Sequence, residues 1–160
     1  MPTHNDIESL HPLLAAVYRE AKAAYIANHP GGLRPRLGET YRPDNVQLAY
    51  HAQGRKPLAE INQLRAAAGL AAIGPVEAKK VITNAMPGQS AHGFNPSRAF
   101  DVQLVKPSGE IDWSESPYHV FAGYVKTAAA LLKVAVSIGA FWPKFSDAPH
   151  TELAAWRTMK

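Results

Sequence analysis

Two long segments of helical periodicity enclose one segment of strict alternation, and this order limits the architectures available to the chain. Apolar residues recur every three to four positions over Pro12–Asn28 and over Tyr118–Ile138, which predicts two helices, the second closed by Gly139. Between them, Arg98–Val105 alternates apolar and polar side chains, as a half-buried strand does. We therefore expect a single α+β domain in which a small antiparallel sheet is flanked by helices.

Shorter segments separate these three elements, and Pro and Gly mark their ends. Pro149 restricts any strand in the C-terminal segment to an edge or to a start. The predicted short elements are a strand over Leu33–Tyr41, a helix from Pro43 to Gly54, a helix from Pro57 to Gly69, a strand over Ala78–Thr83, a loop over Asn84–Ser97 and a hairpin strand over Glu110–Trp113.

Composition excludes several classes of function. The 160 residues include no Cys, which excludes disulfides, iron–sulfur clusters and thiolate zinc sites and leaves His, Asp and Glu as possible metal ligands. The net charge of +4 favours an anionic partner, but no run of adjacent basic residues exceeds a pair, so nucleic acid is not expected. The first ten residues do not resemble a secretory signal, and Lys126 and Lys133 interrupt the most apolar segment, so we expect no membrane insertion.

Three residues in the second half of the chain are candidate metal ligands. His92 lies in the polar loop before the alternating strand, Asp101 projects from the strand face opposite the apolar one, and His150 follows Pro149. Two imidazoles and one carboxylate form a ligand set that catalytic zinc uses while one position stays open for water. For any single His–Asp pair, a structural hydrogen bond is the competing interpretation.

Three further residues are candidates for chemistry beside such a site. Asp147 precedes His150 by three residues, where a carboxylate can move a proton from water to a leaving amine, or can cap a turn. Glu152 shares a strand face with His150 and can orient the imidazole or take the role of Asp147. Arg42 can bind a carboxylate, stabilise an oxyanion or form an ordinary ion pair.

A serine nucleophile has less support. Gly88–Gly93 nearly matches the turn that exposes a nucleophilic serine in hydrolases of the α/β class, but His92 occupies a position where that turn needs glycine. We therefore do not expect a serine hydrolase.

Several blocks of sequence between Leu10 and Glu152 stand in an order that is more specific than any block alone. They are Thr40-Tyr41-Arg42-Pro43 with Gln47 and Leu48, Gln53-Gly54-Arg55, Val81-Ile82-Thr83-Asn84-Ala85, Ser90-Ala91-His92-Gly93-Phe94, Arg98-Ala99-Phe100-Asp101-Val102, Trp142 with Phe145, and Asp147-Ala148-Pro149-His150-Thr151-Glu152. In this order they resemble the zinc peptidases that include VanY-type D-Ala-D-Ala carboxypeptidases and the L-alanyl-D-glutamate endopeptidases that bacteriophages use as endolysins.

The resemblance implies roles for particular residues. His92, Asp101 and His150 would hold zinc. Asp147 would be the catalytic base and acid, and Arg42 would stabilise the oxyanion.

Ser90 and Gln47 are implied to support the zinc site or the substrate pocket, and Glu152 is the further candidate for orienting an imidazole. Eight residues separate His92 from Asp101, two more than is usual in the family. An insertion of two residues preserves the alternation of a strand, so Asp101 keeps its face.

The resemblance also implies a substrate and a setting. We expect a monomeric peptidoglycan peptidase that cuts the stem peptide between L-Ala and D-Glu and has no separate wall-binding module. It would be made in the host cytoplasm and act on the wall once another protein opens the membrane. A D-Ala-D-Ala carboxypeptidase, and a non-catalytic wall-binding or phage structural module of the same fold, are the alternatives.

Overall fold

In the computed structural model, which describes residues 4–160, an antiparallel sheet of five strands packs against two long helices. The expected α+β class is confirmed. The helices are α1 (Pro12–Asn28), α2 (Asp44–Ala52), α3 (Leu58–Ala67), α4 (Pro75–Ala78) and α5 (Glu115–Leu132), and the strands are β1 (Arg34–Glu39), β2 (Ala99–Val105), β3 (Ile111–Asp112), β4 (Val136–Ile138) and β5 (His150–Leu153).

The strands lie in the order β1-β2-β5-β4, and the short β3 pairs with one end of β2. These five strands pair with one another in antiparallel fashion. The predicted alternation of β2 is confirmed, because Phe100, Val102 and Leu104 are buried on the helix side while Asp101 and Gln103 lie on the other face. The sheet therefore separates an apolar core from a polar face.

Helix α1 forms where the sequence predicts it. Pro12 occupies the first turn, where a missing N–H leaves no hydrogen bond unmade, and the helix ends before Gly31 and Gly32. Its buried face packs against the sheet, with Tyr18 edge-on to Phe100 at 5.6 Å between ring centroids. Together with α5, it forms a helical layer that packs against the apolar face of β2 and β5.

The strand predicted over Ala78–Thr83 is wrong. Ala78 ends α4, and residues 79–86 then run without pairing into the sheet. Gly54, at φ +81°, lets the chain approach Val81 so closely that a Cβ would overlap with it, and Arg55 donates a hydrogen bond of 2.9 Å to the Thr83 carbonyl. The segment is thus held by the turn after α2.

The helix predicted to continue to Ile138 is too long. Helix α5 ends at Leu132, and Lys133 closes it in the left-handed region at φ +56°. Val136–Ile138 then forms the edge strand β4 on β5. A short apolar run is compatible with either a buried helical turn or a strand. Here it forms a strand because β5 has a free edge with which it can pair.

β5 begins immediately after Pro149, as expected. Among residues 4–160, no helix has both the length and the apolar character needed to cross a membrane.

Candidate metal centre

The register of two central strands places two of the candidate ligands together. Asp101 of β2 and His150 of β5 are direct partners across the antiparallel pair. His150 Nδ1 lies 2.9 Å from Asp101 Oδ1 on the polar face of the sheet. This contact joins residues 49 positions apart, so it depends on strand pairing and not on local sequence.

His92 reaches the same point from the loop before β2. It lies in a single helical turn, Ala91–Gly93, in which Ser90 Oγ accepts the His92 backbone N–H at 3.3 Å. The His92 carbonyl accepts the Arg42 backbone N–H at 2.8 Å, which ties this turn to the residues after β1. Ser90 therefore supports the backbone of His92, and its side chain also borders the cleft described below.

The hydrogen bonds of His92 determine which ring nitrogen is left for a metal. Nδ1 lies 2.7 Å from the carbonyl oxygen of Thr40, which can only accept, so Nδ1 holds the proton. When the ring is neutral, Nε2 therefore carries the lone pair, and it is fully buried with no hydrogen-bond partner among residues 4–160. It points toward Asp101, whose Oδ1 is 3.4 Å away.

A carboxylate holds the other nitrogen of His150. Nε2 lies 2.9 Å from Glu152 Oε2, and the Trp156 indole N–H donates to Glu152 Oε1 at 3.0 Å. This arrangement resembles the outer-sphere carboxylate that orients a metal-bound imidazole, because a proton held on Nε2 leaves Nδ1 to bind a cation. The structure thus brings Glu152 into contact with His150, and which of its two candidate roles it takes stays a prediction.

Charge coupling within the cluster is strong. Burial opposes protonation of His150, but the carboxylates of Asp101 and Glu152 outweigh it and raise the pKa of the imidazole to about 10. Burial would raise the pKa of Asp101, yet the imidazoles of His92 and His150 hold it well below its usual range. The cluster therefore stabilises a positive charge beside Asp101.

The geometry of the three residues fits a metal ion. His92, Asp101 and His150 can each offer one ligand atom such that these atoms all lie within 4.8 Å of one another. Ligands at about 2.1 Å in a tetrahedron are roughly 3.4 Å apart, comparable with the separations seen here. The buried, unpaired lone pair of His92 is the strongest sign of fit, because such an atom is costly unless something binds it.

The cluster lies in a cleft of about 990 Å³. Its lining includes the chain between Val81 and Ala85 and the aromatic rings of Trp142 and Phe145. Trp142 lies with its ring centroid 5.4 Å from that of His150, and its indole N–H donates to Ser137 at 2.8 Å. A ligand in this cleft would contact both polar and aromatic groups beside the three ligand residues.

Asp147 also lines the cleft. Its backbone N–H donates to the Gly139 carbonyl at 3.0 Å, and its own carbonyl accepts the His150 N–H at 3.0 Å. Burial and the nearby Asp101 charge raise the pKa of the Asp147 carboxyl. The turn that holds Asp147 is therefore anchored to both β5 and the turn after β4.

Arg42 lines the cleft with a guanidinium that is already held in place. Its Nε donates to Glu39 Oε1 at 2.8 Å, Nη2 also contacts Glu39, and Nη1 donates to Gln47 Oε1 at 2.8 Å. The ring of Tyr50 lies 5.2 Å below the guanidinium carbon. The sequence reasoning missed Glu39, which has no motif of its own and reaches Arg42 because β1 ends beside it.

Gln47 connects Arg42 to the cleft wall. Its side chain is buried, and its Nε2 donates to the Ala85 carbonyl at 2.7 Å. Trp156 was also missed, since only the turn after β5 brings its indole onto Glu152. In the sequence, Trp156 follows Glu152 by four positions, but this spacing is too common to predict a contact between the two.

The chain matches no protein-family model and no curated protein sequence. Among solved structures, it is similar to the crystal structure of the L-Ala D-Glu endopeptidase ChiX of Serratia marcescens. The two share 20% sequence identity with a TM-score of 0.55, over 93% of this chain and 84% of that one. At this identity, the likeness establishes a shared fold.

Proposed function

We propose that this chain is a zinc-dependent peptidoglycan peptidase that cuts the stem peptide between L-Ala and D-Glu. The observation that carries the proposal is the convergence of His92 Nε2, Asp101 Oδ1 and His150 Nδ1 on one point of a cleft. The fold shared with a protein described as an L-Ala D-Glu endopeptidase supports the choice of substrate.

The donor set favours zinc over harder cations. Two imidazole nitrogens and one carboxylate are typical of zinc, whereas magnesium and calcium prefer oxygen ligands throughout. When bound by His92, Asp101 and His150, zinc would polarise the scissile carbonyl and lower the pKa of water toward neutrality. The protein's part is to hold the three ligands, with the Thr40 carbonyl and the Glu152 carboxylate fixing the two rings.

Asp147 is the proposed proton carrier. Its carboxylate takes a proton from the attacking water while the water oxygen bonds to the carbonyl carbon of the peptide. The carbon–nitrogen bond then breaks, and the same proton passes from Asp147 to the leaving amine, so that the carboxylate is regenerated. The position of Asp147 in the cleft beside His150 supports this role.

Arg42 is proposed to stabilise the negative charge that develops on the carbonyl oxygen. Glu39 and Gln47 occupy one N–H on each of three guanidinium nitrogens, which leaves one hydrogen each on Nη1 and Nη2 for the substrate. Because the side chain is held before substrate binds, its reorganisation during the reaction costs little. The net charge of +4 aids approach to an anionic wall, although only weakly at physiological salt.

Metal analysis combined with product analysis tests the proposal. We expect the purified protein to contain about one zinc per chain and to lose activity on purified sacculi when a chelator removes it, with recovery on adding zinc. Mass spectrometry of the digest should show new D-Glu N-termini. Free D-Ala would instead indicate the carboxypeptidase, and sacculus binding without any new amino group would indicate the non-catalytic module.

A matched pair of histidine variants separates the metal site from general effects. His150→Ala should abolish zinc binding and turnover, whereas His119→Ala, on the surface of α5, should retain both. Full activity of His150→Ala in the presence of chelator would refute the metal mechanism.

The biological setting is part of the same proposal. An endolysin of this type should act as a monomer, which light scattering after size exclusion measures. It should lyse Gram-negative cells only after their outer membrane has been permeabilised. Association into a stable dimer, or lysis of untreated cells, would contradict the proposed setting. The peptidase activity would still be tested by the product assay.

A further inference from the structure

Arg157 is an exposed cation on the wall of the cleft, outside the sequence blocks that suggested the function. Across residues 4–160, its guanidinium makes no ion pair with an acidic side chain and no hydrogen bond. The other arginine that lines the cleft, Arg42, is paired with Glu39. Arg157 therefore brings the cleft a positive charge that no acidic side chain of the described residues pairs with.

The guanidinium of Arg157 is held by a rigid support. Its central carbon lies 4.2 Å from the centroid of the Trp156 ring, a distance typical of a cation stacked on an aromatic face. Trp156 is buried, its indole N–H is bound to Glu152, and Arg98 donates to its carbonyl at 2.7 Å. Stacking on a fixed ring reduces the conformational entropy that Arg157 would lose on binding a ligand.

A second pocket meets the cleft at Arg157. It measures about 470 Å³, is bordered by Gly88, Gln89 and Phe94, and shares Gln89, Trp156 and Arg157 with the cleft. A peptide that lies across the metal centre and extends in this direction must pass Arg157.

We propose that Arg157 determines specificity by pairing with a carboxylate of the bound peptide where the cleft meets this second pocket. The inference rests on the proposed function for the identity of the peptide and adds a preference for carboxylate-bearing stem peptides over amidated ones. A planar guanidinium suits a carboxylate because it can donate two parallel hydrogen bonds, whereas a carboxamide offers one acceptor oxygen and no charge.

Binding of two matched peptides tests this without requiring turnover. The probes are a synthetic stem peptide with free carboxyl groups and the same peptide with those groups converted to carboxamides, both N-methylated at the scissile amide to prevent cleavage. Isothermal titration calorimetry on the zinc-loaded protein at low salt should show about fivefold tighter binding of the carboxylate peptide, as expected for an exposed ion pair. The ratio should fall as salt increases.

Variants assign the preference to Arg157. Arg157→Gln should reduce the ratio to about one by weakening only the carboxylate peptide, and Arg157→Lys should retain part of it. Arg19→Gln removes the same charge from the exposed face of α1 and should leave the ratio unchanged. A full ratio in Arg157→Gln, equal binding of both peptides by the unaltered protein, or binding of neither would overturn the inference.

The same peptides without N-methylation report separately on the proposed function. If the unaltered protein binds with the expected ratio but cuts neither peptide, the peptidase proposal fails and the carboxylate preference of Arg157 stands. If it cuts both peptides with equal kcat/KM and equal affinity, the peptidase proposal stands and this inference fails.

Discussion

Glu152 Oε2 lies 2.9 Å from His150 Nε2, on the nitrogen that does not face Asp101. This contact joins the imidazole to a carboxylate, and the indole N–H of Trp156 in turn donates to the second oxygen of Glu152. Orientation of a ligand by its outer neighbours affects both metal affinity and activity.

Replacement of Glu152 by Gln should weaken zinc binding by about 10-fold to 100-fold. The amide keeps one acceptor oxygen, which cannot serve both His150 and Trp156, and it lacks the charge that supports the imidazole. Competition with a chromophoric chelator measures the affinity. Glu60→Gln on the exposed face of α3 is the matched control, and equal zinc affinity in both variants would contradict an orienting role for Glu152.

Replacement of Glu39 by Gln should lower the free energy of unfolding by about 3 kcal/mol. The Glu39 and Arg42 side chains are only 12% and 13% exposed, so the change leaves a nearly buried guanidinium without its counter-charge. Urea denaturation measures the loss. In the exposed pair of Lys56 and Glu60, Glu60→Gln should change stability by less than about 0.5 kcal/mol. Similar values for both variants would mean that the Glu39 pair contributes no more than a surface contact.

Replacement of Gly139 by Ala should displace Asp147 and reduce kcat by about 100-fold. A Cβ at Gly139 would overlap with the Asp147 carbonyl oxygen and come within 3.1 Å of its Cβ, so the turn has to move. Steady-state kinetics on a stem peptide checks this, with zinc content measured alongside.

Gly123→Ala is the control for the added methyl group. Gly123 lies within α5, and a Cβ there meets no atom within 4 Å. This variant should be more stable by about 0.5 to 1 kcal/mol, because Ala favours the helix, and should keep full activity. Unchanged kcat in Gly139→Ala would show that the position of Asp147 is not critical.

Tyr18 should make the fold sensitive to alkaline pH. Burial raises the pKa of its hydroxyl to about 12 from an ordinary value of 10. The unfolded chain therefore loses this proton first, and the stability that Tyr18 contributes is complete below about pH 10 and is lost as pH rises toward 12. Between pH 9 and 11.5, the native protein should lose about 2 kcal/mol more unfolding free energy than Tyr18→Phe.

Urea denaturation at both pH values measures this difference. Between pH 7 and 9, where tyrosine stays neutral in both states, the native protein and Tyr18→Phe should show parallel stability. A constant difference through pH 11.5 would mean that the folded protein ionises Tyr18 as easily as the unfolded chain does.

The spacing of apolar residues was enough to predict the elements that depend mainly on their own sequence. Helix α1 occupies Pro12–Asn28 as predicted, because its apolar stripe, its first-turn proline and its closing glycines all act within a few residues. β2 is likewise evident from its alternation, which placed Asp101 on the face opposite the core. The candidate ligands His92 and His150 could be chosen from residue chemistry, but their roles stay predictions.

Only the tertiary structure decided the features that depend on partners distant in the chain. The apolar run after α5 became β4 because β5 offered a free edge, and the run at residues 79–86 stayed unpaired because the turn after α2 holds it. Glu39 and Trp156 acquired their contacts for the same reason, since β1 and the turn after β5 converge on the polar face of the sheet. The sequence thus determined the ligand types and the main elements. The packing of distant segments decided which atoms meet, because a local pattern contains no information about which strand will lie beside it.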